Sequence, residues 1–215
     1  YGSIAVVVQP QLGHTAGGSY KRRVTLAQTE TNYINYDVPL IPQTTGMSCW
    51  AAAFAMIVGW ADQVAIDPVQ IAASLGYWHQ YQHGLNGMDR DMFTQWHMVP
   101  EPPQSYSVAK FRDMLEQYGP LWVASRVPGV HIRVITGMWG DGTPDGTMLI
   151  FNDPWEEGMA AFTSSNRGSQ YSRTFSRFVT EMESLVPTWN GVNTLQFMSD
   201  RCVNGDAEAC TFISD

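Results

Sequence analysis

The pattern of hydrophobic and polar positions is clearest where a polar turn runs directly into an apolar segment. The turn covers residues 43–48 (QTTGMS), and the apolar segment covers residues 49–60 (CWAAAFAMIVGW). Because this segment is apolar on every face, it predicts a buried helix rather than a half-exposed one. Ser48 is a suitable N-cap, so Cys49 falls in the first turn of the predicted helix.

Two further helices are predicted from their capping residues and apolar spacing. Asp67 and Pro68 provide an N-cap followed by proline at the first helical position, and Gly76 ends that helix. Ser107 caps the next predicted helix. Its apolar face comprises Phe111, Met114, Leu115 and Tyr118. A shorter helix is predicted over residues 88–98.

After Gly119 and Pro120 the period of the apolar positions changes from helical to strand-like. The predicted strands cover residues 121–124, 130–138 and 147–153, with a further strand over residues 192–198. Turn residues at 140–146 predict a hairpin between the second and third strands. Residues 174–185 predict a helix. Helices followed by an antiparallel sheet are typical of the α+β class.

The N-terminal region carries strand-like patches on either side of a glycine-rich segment. The patches cover residues 4–8, 23–27 and 32–40. We interpret His14, within the glycine-rich segment, as an exposed loop histidine. The first patch has no positive residue before it, so it is not typical of a signal peptide.

Composition and charge narrow the classes of function. The chain has 215 residues, of which 44% are hydrophobic, which indicates a globular protein with one domain or two lobes. Its net charge of −8 argues against nucleic-acid binding, which relies on Lys and Arg. The longest uncharged apolar stretch, residues 46–61, is too short to span a bilayer. We therefore expect neither a nucleic-acid partner nor a membrane partner.

The chain has three cysteines, and two of them lie close together near the C-terminus. Cys202 and Cys210 flank a polar loop that can close into a disulfide, which would indicate an oxidising destination. Two free thiols are the alternative. In either case Cys49 has no nearby cysteine partner in the sequence.

Cys49 is a candidate nucleophile because of its position at a predicted helix start. There the unpaired backbone N–H groups and the positive end of the helix dipole favour a thiolate. The alternative is a small buried hydrophobic residue, as most free cysteines are. A cysteine nucleophile also needs a base, a group that orients the base, and donors for an oxyanion.

His131 and Asp153 are the candidate base and orienting group. His131 begins a predicted strand, and Asp153 ends the next strand of the hairpin, so the two outer ends should meet. Asn152 points to the opposite face of its strand, which makes Asp153 the better orienting group. Arg133 shares the face of His131. Without Cys49 and Asp153, His131 would be explained equally well as a buried histidine of the sheet.

Gln43 is the candidate donor for the oxyanion. It lies in the turn that leads into the predicted helix, so its side-chain amide can point to the same space as the backbone N–H of Cys49. Two such donors would form an oxyanion hole.

Metal binding is a weaker interpretation at two places. His79 and His83 would share one face at helical spacing, but the sequence shows no third ligand, so residues 77–84 are better explained as an aromatic loop that packs or lines a substrate groove. Asp141 and Asp145 suggest a calcium loop, yet ordinary turn chemistry explains them. We expect no metal and no other cofactor.

With these residues in place, the sequence resembles the papain-like cysteine proteases. The closer resemblance is to their short bacterial branch, which includes leader-peptidase-like enzymes and secreted or injected effector proteases. It covers residues 38–185 approximately, and its motifs are VPLIPQ (38–43), GMSCWAAA (46–53), GPLWV (119–123), VITG (134–137) after His131, and NDPW (152–155).

The resemblance implies an α+β fold in which a helical lobe packs on an antiparallel sheet lobe, with the active site in the cleft between them. It implies that Cys49 is the nucleophile and that His131 is first general base and then general acid. It further implies that Asp153 orients the histidine and that Gln43 donates to the oxyanion. Papain itself has asparagine where this chain has Asp153, but the short bacterial enzymes have aspartate there.

The expected domain organisation follows from the extent of the resemblance. It comprises an N-terminal extension or β-arm (1–37), a papain-like catalytic domain (38–189) and a C-terminal extension (190–215). Within the catalytic domain, the helical lobe is expected at about residues 46–118 and the sheet lobe at about residues 119–189.

The function expected from the resemblance is hydrolysis of peptide bonds through a Cys-His-Asp triad and a thioester intermediate. The expected substrate is a protein or peptide, and an inhibitor or immunity protein is a possible partner. The resemblance favours a bacterial protein that is secreted or injected into a target cell as an effector or toxin. Alternatives are an amidase, a deamidase or transglutaminase with the same triad, and a non-catalytic papain-like binding domain.

Overall fold

The apolar segment that follows Ser48 forms a helix, as predicted, in the computed structural model of the protein. This helix, α1 (Cys49–Asp62), is buried from Trp50 to Gly59. The structure describes residues 33–85, 93, 95–96, 98–101, 104–127, 129–185 and 195–198. The predicted strands at 4–8 and 23–27, the loop around His14 and the Cys202–Cys210 pair lie outside the described residues, as does most of the predicted helix at 88–98.

The other described helices are α2 (Pro68–Leu75), α3 (Trp78–His83), α4 (Val108–Tyr118) and α5 (Phe175–Glu183). Of these, α2 and α4 begin where capping residues predict them. Asp67 forms a capping box with Gln70 at the start of α2, and Ser107 caps α4 through the backbone N–H of Lys110. The prediction of an aromatic loop at residues 77–84 is wrong over α3, which is a short helix.

The described strands form a seven-stranded antiparallel sheet. They are β1 (Ile34–Asn35), β2 (Met98–Pro100), β3 (Leu121–Arg126), β4 (Val130–Gly140), β5 (Thr147–Asp153), β6 (Ser169–Thr174) and β7 (Leu195–Met198). Their order is β2-β7-β3-β4-β5-β6, and β1 pairs with β4. The hairpin of β4 and β5 was predicted, whereas β6 was not, because its sequence SQYSRT is almost entirely polar.

The sheet buries side chains on both faces, and strand alternation decides which residues face which helices. On one face, Trp122, Ile132 and Val134 pack with α1 and α2 in one apolar cluster. On the other face, Ile135 and Phe151 pack with α4 and α5 in a second cluster. Since both faces are covered, β3, β4 and β5 have the almost continuous apolar sequences of buried strands.

An extended segment leads from β1 along the sheet to the turn before Cys49. β1 pairs with β4 beside Gly137, where any Cβ would collide with the carbonyl oxygen of Ile34, so only glycine allows this close approach. Further along, Tyr36 N donates to Thr136 O at 2.9 Å. The segment reaches Gln43 while still bonded to the sheet, since Gln43 N donates to Pro154 O at 3.0 Å.

This architecture confirms the predicted α+β class, with helices beside a curled antiparallel sheet. β1 falls within the segment predicted as an N-terminal extension, and β7 falls within the predicted C-terminal extension. Both strands pair with strands of the central sheet.

Candidate active site

Cys49 is the first residue of α1 and lines the mouth of a cleft. Ser48 occupies the N-cap position, but its hydroxyl makes no capping hydrogen bond. Instead, Ser48 Oγ accepts from the backbone N–H groups of Thr44 at 3.2 Å and Thr45 at 3.0 Å. The serine therefore closes the preceding turn, and the N–H groups at the helix start remain available to an anion near Cys49.

Helix α3 holds the same turn from the other side. Thr45 Oγ1 donates to the backbone oxygen of Tyr81 at 2.9 Å, and the hydroxyls of Thr44 and Tyr81 hydrogen-bond to each other. Tyr81 is itself buried. The turn before Cys49 is thus fixed by side chains as well as by the helix that follows it.

His131 lies between Cys49 and Asp153. His131 Nε2 is 2.6 Å from Asp153 Oδ1, and interaction with the Cys49 side chain also raises the pKa of His131. Because Nε2 faces the carboxylate, the thiol interaction falls to Nδ1, the other ring nitrogen. The structure brings together the three residues singled out from the sequence, and their catalytic roles remain predictions.

Asp153 is held by donors at both carboxylate oxygens. Besides His131, Oδ1 accepts from the backbone N–H of Trp155 at 2.8 Å, and Oδ2 accepts from the Tyr171 hydroxyl at 2.7 Å. Burial would raise the pKa of Asp153, but its interactions with His131, Trp155 and Tyr171 outweigh this effect and lower the pKa below its usual value. Asp153 is therefore ionised at neutral pH.

The neighbouring residue Asn152 has a different set of partners. Asn152 Nδ2 donates to Val38 O at 2.9 Å, and Asn152 Oδ1 accepts from Gln170 Nε2 at 2.9 Å. The side chain is fully buried and bonds to the extended segment before Cys49 and to β6. Its contacts are separate from those of Asp153, as expected for successive residues of a strand.

The pKa of His131 shows which charge state the site favours. Burial alone would lower the pKa of His131, but its hydrogen bonds with Asp153 and Cys49, together with their charges, raise it from 6.5 to about 9. His131 is therefore protonated at neutral pH.

This raised pKa predicts how the stability of the protein depends on pH. His131 binds its proton more tightly when folded, so its stabilising effect is complete below about pH 6.5 and is lost as the pH rises through about 9. We expect the free energy of unfolding to fall across this range by up to roughly 3 kcal/mol on this account. Urea unfolding at a series of pH values measures it.

The matched variants for this prediction are His131→Ala and His83→Ala. His83 is also a cleft residue but is exposed. We expect His131→Ala to flatten the decrease between pH 6.5 and 9 and His83→Ala to leave it unchanged. The same decrease in His131→Ala would show that another group causes it.

Gln43, the predicted oxyanion donor, is buried beneath the turn. Its Nε2 donates to the carbonyl oxygen of Thr45 at 2.7 Å, which leaves one N–H of the amide for another acceptor. Its Oε1 has no hydrogen-bond partner among the described residues. The oxyanion role of Gln43 therefore remains a prediction.

Asn166 is a site residue that sequence reasoning missed. Asn166 Nδ2 donates to the carbonyl oxygens of Gln43 at 2.9 Å and Pro154 at 2.8 Å. Its Oδ1 accepts from the backbone N–H groups of Glu156 at 2.9 Å and Gly168 at 3.2 Å. This buried amide joins the turn before Cys49 to the loop after Asp153. Nothing in the local sequence NRG indicates these distant partners.

Tyr171 was also missed, because strand β6 was not predicted. Its hydroxyl donates to Asp153 and accepts from Arg133 Nη1 at 3.1 Å. The sequence did place Arg133 on the face of His131, but two of its partners, Tyr171 and Glu181, come from β6 and α5, which lie far along the chain.

The cleft beside Cys49 and His131 has a volume of about 560 Å³. Much of its wall is apolar, and the residues concerned are Met47, Leu85, Val127, Val130, Ile132 and Met159. Glu156 and Glu157 add carboxylates on the loop that follows Asp153. The cleft is therefore a concave, largely apolar site with Cys49 on its wall, as ligand-binding clefts commonly are.

The possible metal ligands do not form a metal site among the described residues, where no group of three or more His, Cys, Asp or Glu side chains is suitably placed. The rings of His79 and His83 are stacked with centroids 4.3 Å apart. Asp141 Oδ1 accepts from the backbone N–H of Thr143 at 2.8 Å, which is turn chemistry. Within the same part of the chain, no helix has the length and apolar character needed to cross a membrane.

The fold and the cleft define the class of the protein. An α+β fold with a curled antiparallel sheet, and a cysteine at the start of a buried helix, is that of a papain-like cysteine protease, a hydrolase. The family model described as papain-like cysteine protease AvrRpt2 matches residues 32–167, and the chain belongs to this family. The match confirms the predicted family, fold and enzyme class. No curated protein is significantly similar to the chain.

Proposed function

We propose that the protein hydrolyses peptide bonds of protein substrates through a triad of Cys49, His131 and Asp153. The observation that carries this proposal is the position of His131, which lies 2.6 Å from Asp153 Oδ1 and lines the same cleft as Cys49. A histidine that is bonded to a carboxylate and shares a cleft with a cysteine has the arrangement that nucleophilic catalysis by cysteine requires.

The proposed reaction has two halves joined by a thioester. The Cys49 thiolate attacks the carbonyl carbon of the scissile bond and forms a tetrahedral oxyanion, which accepts from the Cys49 backbone N–H and from Gln43. His131 then gives its proton to the leaving amine as the C–N bond breaks. In the second half, His131 takes a proton from water as the water oxygen attacks the thioester. The C–S bond then breaks and releases the Cys49 thiolate and a carboxylic acid, which loses its proton to solvent.

Asp153 supports both halves by holding His131 in place. Its hydrogen bond at Nε2 turns Nδ1 toward Cys49, and its negative charge stabilises the imidazolium that precedes amine departure. Because Asp153 is kept ionised by its other donors, it remains an acceptor throughout the cycle.

The biological setting is proposed from the family alone. We propose that the protein acts as a bacterial effector or toxin that is secreted or injected into a target cell, and that an inhibitor or immunity protein is a possible partner. We also propose that the catalytic domain covers residues 38–189, with an extension on either side.

Comparison of new protein termini tests this function. A target-cell extract is incubated with the protein or with Cys49→Ala, and newly formed N-termini are identified by mass spectrometry. We expect termini that appear only with the parent protein. Parallel samples of peptidoglycan and of glutamine-containing peptides test the amidase and deamidase alternatives. Products in those samples, without new termini in the extract, would contradict a protease.

A further inference from the structure

Tyr171 is fixed next to the candidate triad by contacts on its ring. It lies opposite Phe151 in the pairing of β5 with β6, and the two rings are stacked with centroids 5.7 Å apart. The guanidinium of Arg173 lies 4.8 Å from the centroid of the tyrosine ring. These contacts leave the hydroxyl little freedom to move. Tyr171 also lies beyond residue 167, where the family match ends.

The direction of the hydrogen bonds at this hydroxyl is determined by chemistry. Arg133 Nη1, 3.1 Å away, can only donate, so the tyrosine oxygen accepts that bond. The phenolic proton is then directed to Asp153 Oδ2, 2.7 Å away. A charged donor behind the hydroxyl also polarises it and strengthens its bond to the carboxylate.

Arg133 is itself firmly held. Its side chain is fully buried, and Nη2 contacts Glu181 Oε2 at 2.9 Å and Ser125 Oγ at 2.5 Å. The Arg133 guanidinium also lies 4.6 Å from the centroid of Phe151. The ion pair with Glu181 compensates the buried positive charge of Arg133, which would otherwise strongly destabilise the fold. A continuous network thus runs from α5 through Arg133 and Tyr171 to Asp153.

We propose that Tyr171 is a positioning residue that holds the Asp153 carboxylate in the rotamer that faces His131. The proposal rests on the function proposed above, since it assigns Tyr171 a place in that site. Asp153 Oδ1, the oxygen that faces His131, also accepts from Trp155 N. Among the described side chains, Tyr171 is the one that donates to Asp153 Oδ2. Without that hydroxyl, the described contacts of the carboxylate are those at Oδ1, so the group has more freedom to turn about that oxygen and its bond to the imidazole is less well directed.

The test replaces Tyr171 with phenylalanine, which keeps the ring and its stacking on Phe151 but removes the hydroxyl. Tyr36→Phe is the matched control, because the Tyr36 hydroxyl also makes a hydrogen bond within the fold, to Leu115 O at 2.7 Å, away from the cleft. Both variants lose one tyrosine hydroxyl and its bond to an acceptor, and Tyr171→Phe also removes the acceptor of Arg133 Nη1. A merely structural role predicts a loss of stability, larger for Tyr171→Phe, without a change in the kinetics of the folded protein or in the titration of His131.

We expect Tyr171→Phe to lower kcat about tenfold, the scale of a lost hydrogen bond to a charged group, with little change in KM. We expect Tyr36→Phe to keep both parameters. Alkylation of Cys49 by iodoacetamide, followed against pH, gives a second readout that needs no substrate. At alkaline pH, the alkylation rate should change as the His131 imidazolium loses its proton. Tyr171→Phe should move this change to lower pH by about half a unit or more.

NMR titration of isotopically labelled histidine should show His131 titrating at correspondingly lower pH. An unshifted or upward-shifted titration in Tyr171→Phe, or kinetics equal to those of Tyr36→Phe, would overturn the positioning role. If the parent protein hydrolyses no peptide, the proposed function fails. The titration and alkylation profiles would still decide the role of Tyr171.

Discussion

Replacement of Cys49 by alanine is expected to abolish peptide-bond hydrolysis while leaving the fold intact. The thiol supplies the attacking atom, and the other groups around His131 cannot replace it. Loss of the nucleophile should lower kcat by at least about 10⁴-fold. Alanine is a good helix former, and Cys49 is only partly buried, so α1 should remain stable. Kinetics on an identified substrate, together with circular dichroism and thermal unfolding, measure both parts.

The control for this variant is Cys202→Ala, assayed under reducing conditions. It makes the same chemical change at a cysteine that lies outside the described residues. We expect full turnover from Cys202→Ala and normal alkylation of Cys49. Turnover by Cys49→Ala on a substrate that the parent cleaves would refute the nucleophile assignment. A Cys49 thiol no more reactive than free cysteine would favour the binding-domain alternative.

Replacement of Asp153 by alanine should have the second largest effect. His131 would lose the acceptor 2.6 Å from Nε2, and with it both the orientation of the ring and the negative charge that raises its pKa. We expect kcat/KM to fall by about 10²–10³-fold, within the range associated with general acid–base catalysis. Kinetics of the purified variant, scaled to its folded fraction, measure the loss.

Asn152→Ala is the matched control, one residue away on the same strand. Asn152 is buried and hydrogen-bonded like Asp153, but its partners are Val38 and Gln170. We expect a loss of stability of about 1–3 kcal/mol from the unpaired groups, with kcat/KM of the folded protein within a few fold of the parent. Equal losses of activity in both variants would mean that Asp153 acts only through the fold.

The core of the site was predictable because it depends on local patterns. A segment that is apolar on every face predicted α1 and put Cys49 at its start. The change to strand period, with turn residues between two strands, predicted the hairpin of β4 and β5. Antiparallel pairing then brings the ends that carry His131 and Asp153 together, whatever the rest of the fold is.

The residues that surround this core were not predictable in the same way. Tyr171 lies on a strand whose sequence is almost entirely polar, so no alternation of apolar and polar residues predicts that strand. Asn166 and Arg133 satisfy buried groups from distant segments, and such partners exist only once the tertiary structure has formed. The strand-like patch at residues 32–40 includes β1, but the pairing of β1 with β4 depends on the close approach of Ile34 to Gly137, which neither local sequence indicates.

The placement of Ser48 shows the same limit at a single residue. Its sequence position is that of an N-cap, and the helix does begin immediately after it. Its hydroxyl nevertheless bonds to Thr44 and Thr45, because the turn before α1 bends those N–H groups toward it. Sequence patterns located the helix boundary but did not determine which backbone groups the serine satisfies.

The four hydrogen bonds of Asn166 have a consequence for how the enzyme meets its substrate. They join the turn before Cys49 to the loop after Asp153, so the two segments next to the proposed nucleophile and its proposed orienting carboxylate are joined before any peptide arrives. Such a preorganised site does not need substrate binding to close it. Orientation of the thiol, imidazole and carboxylate is then a property of the free enzyme, and favourable contacts with the peptide are left to stabilise the transition state.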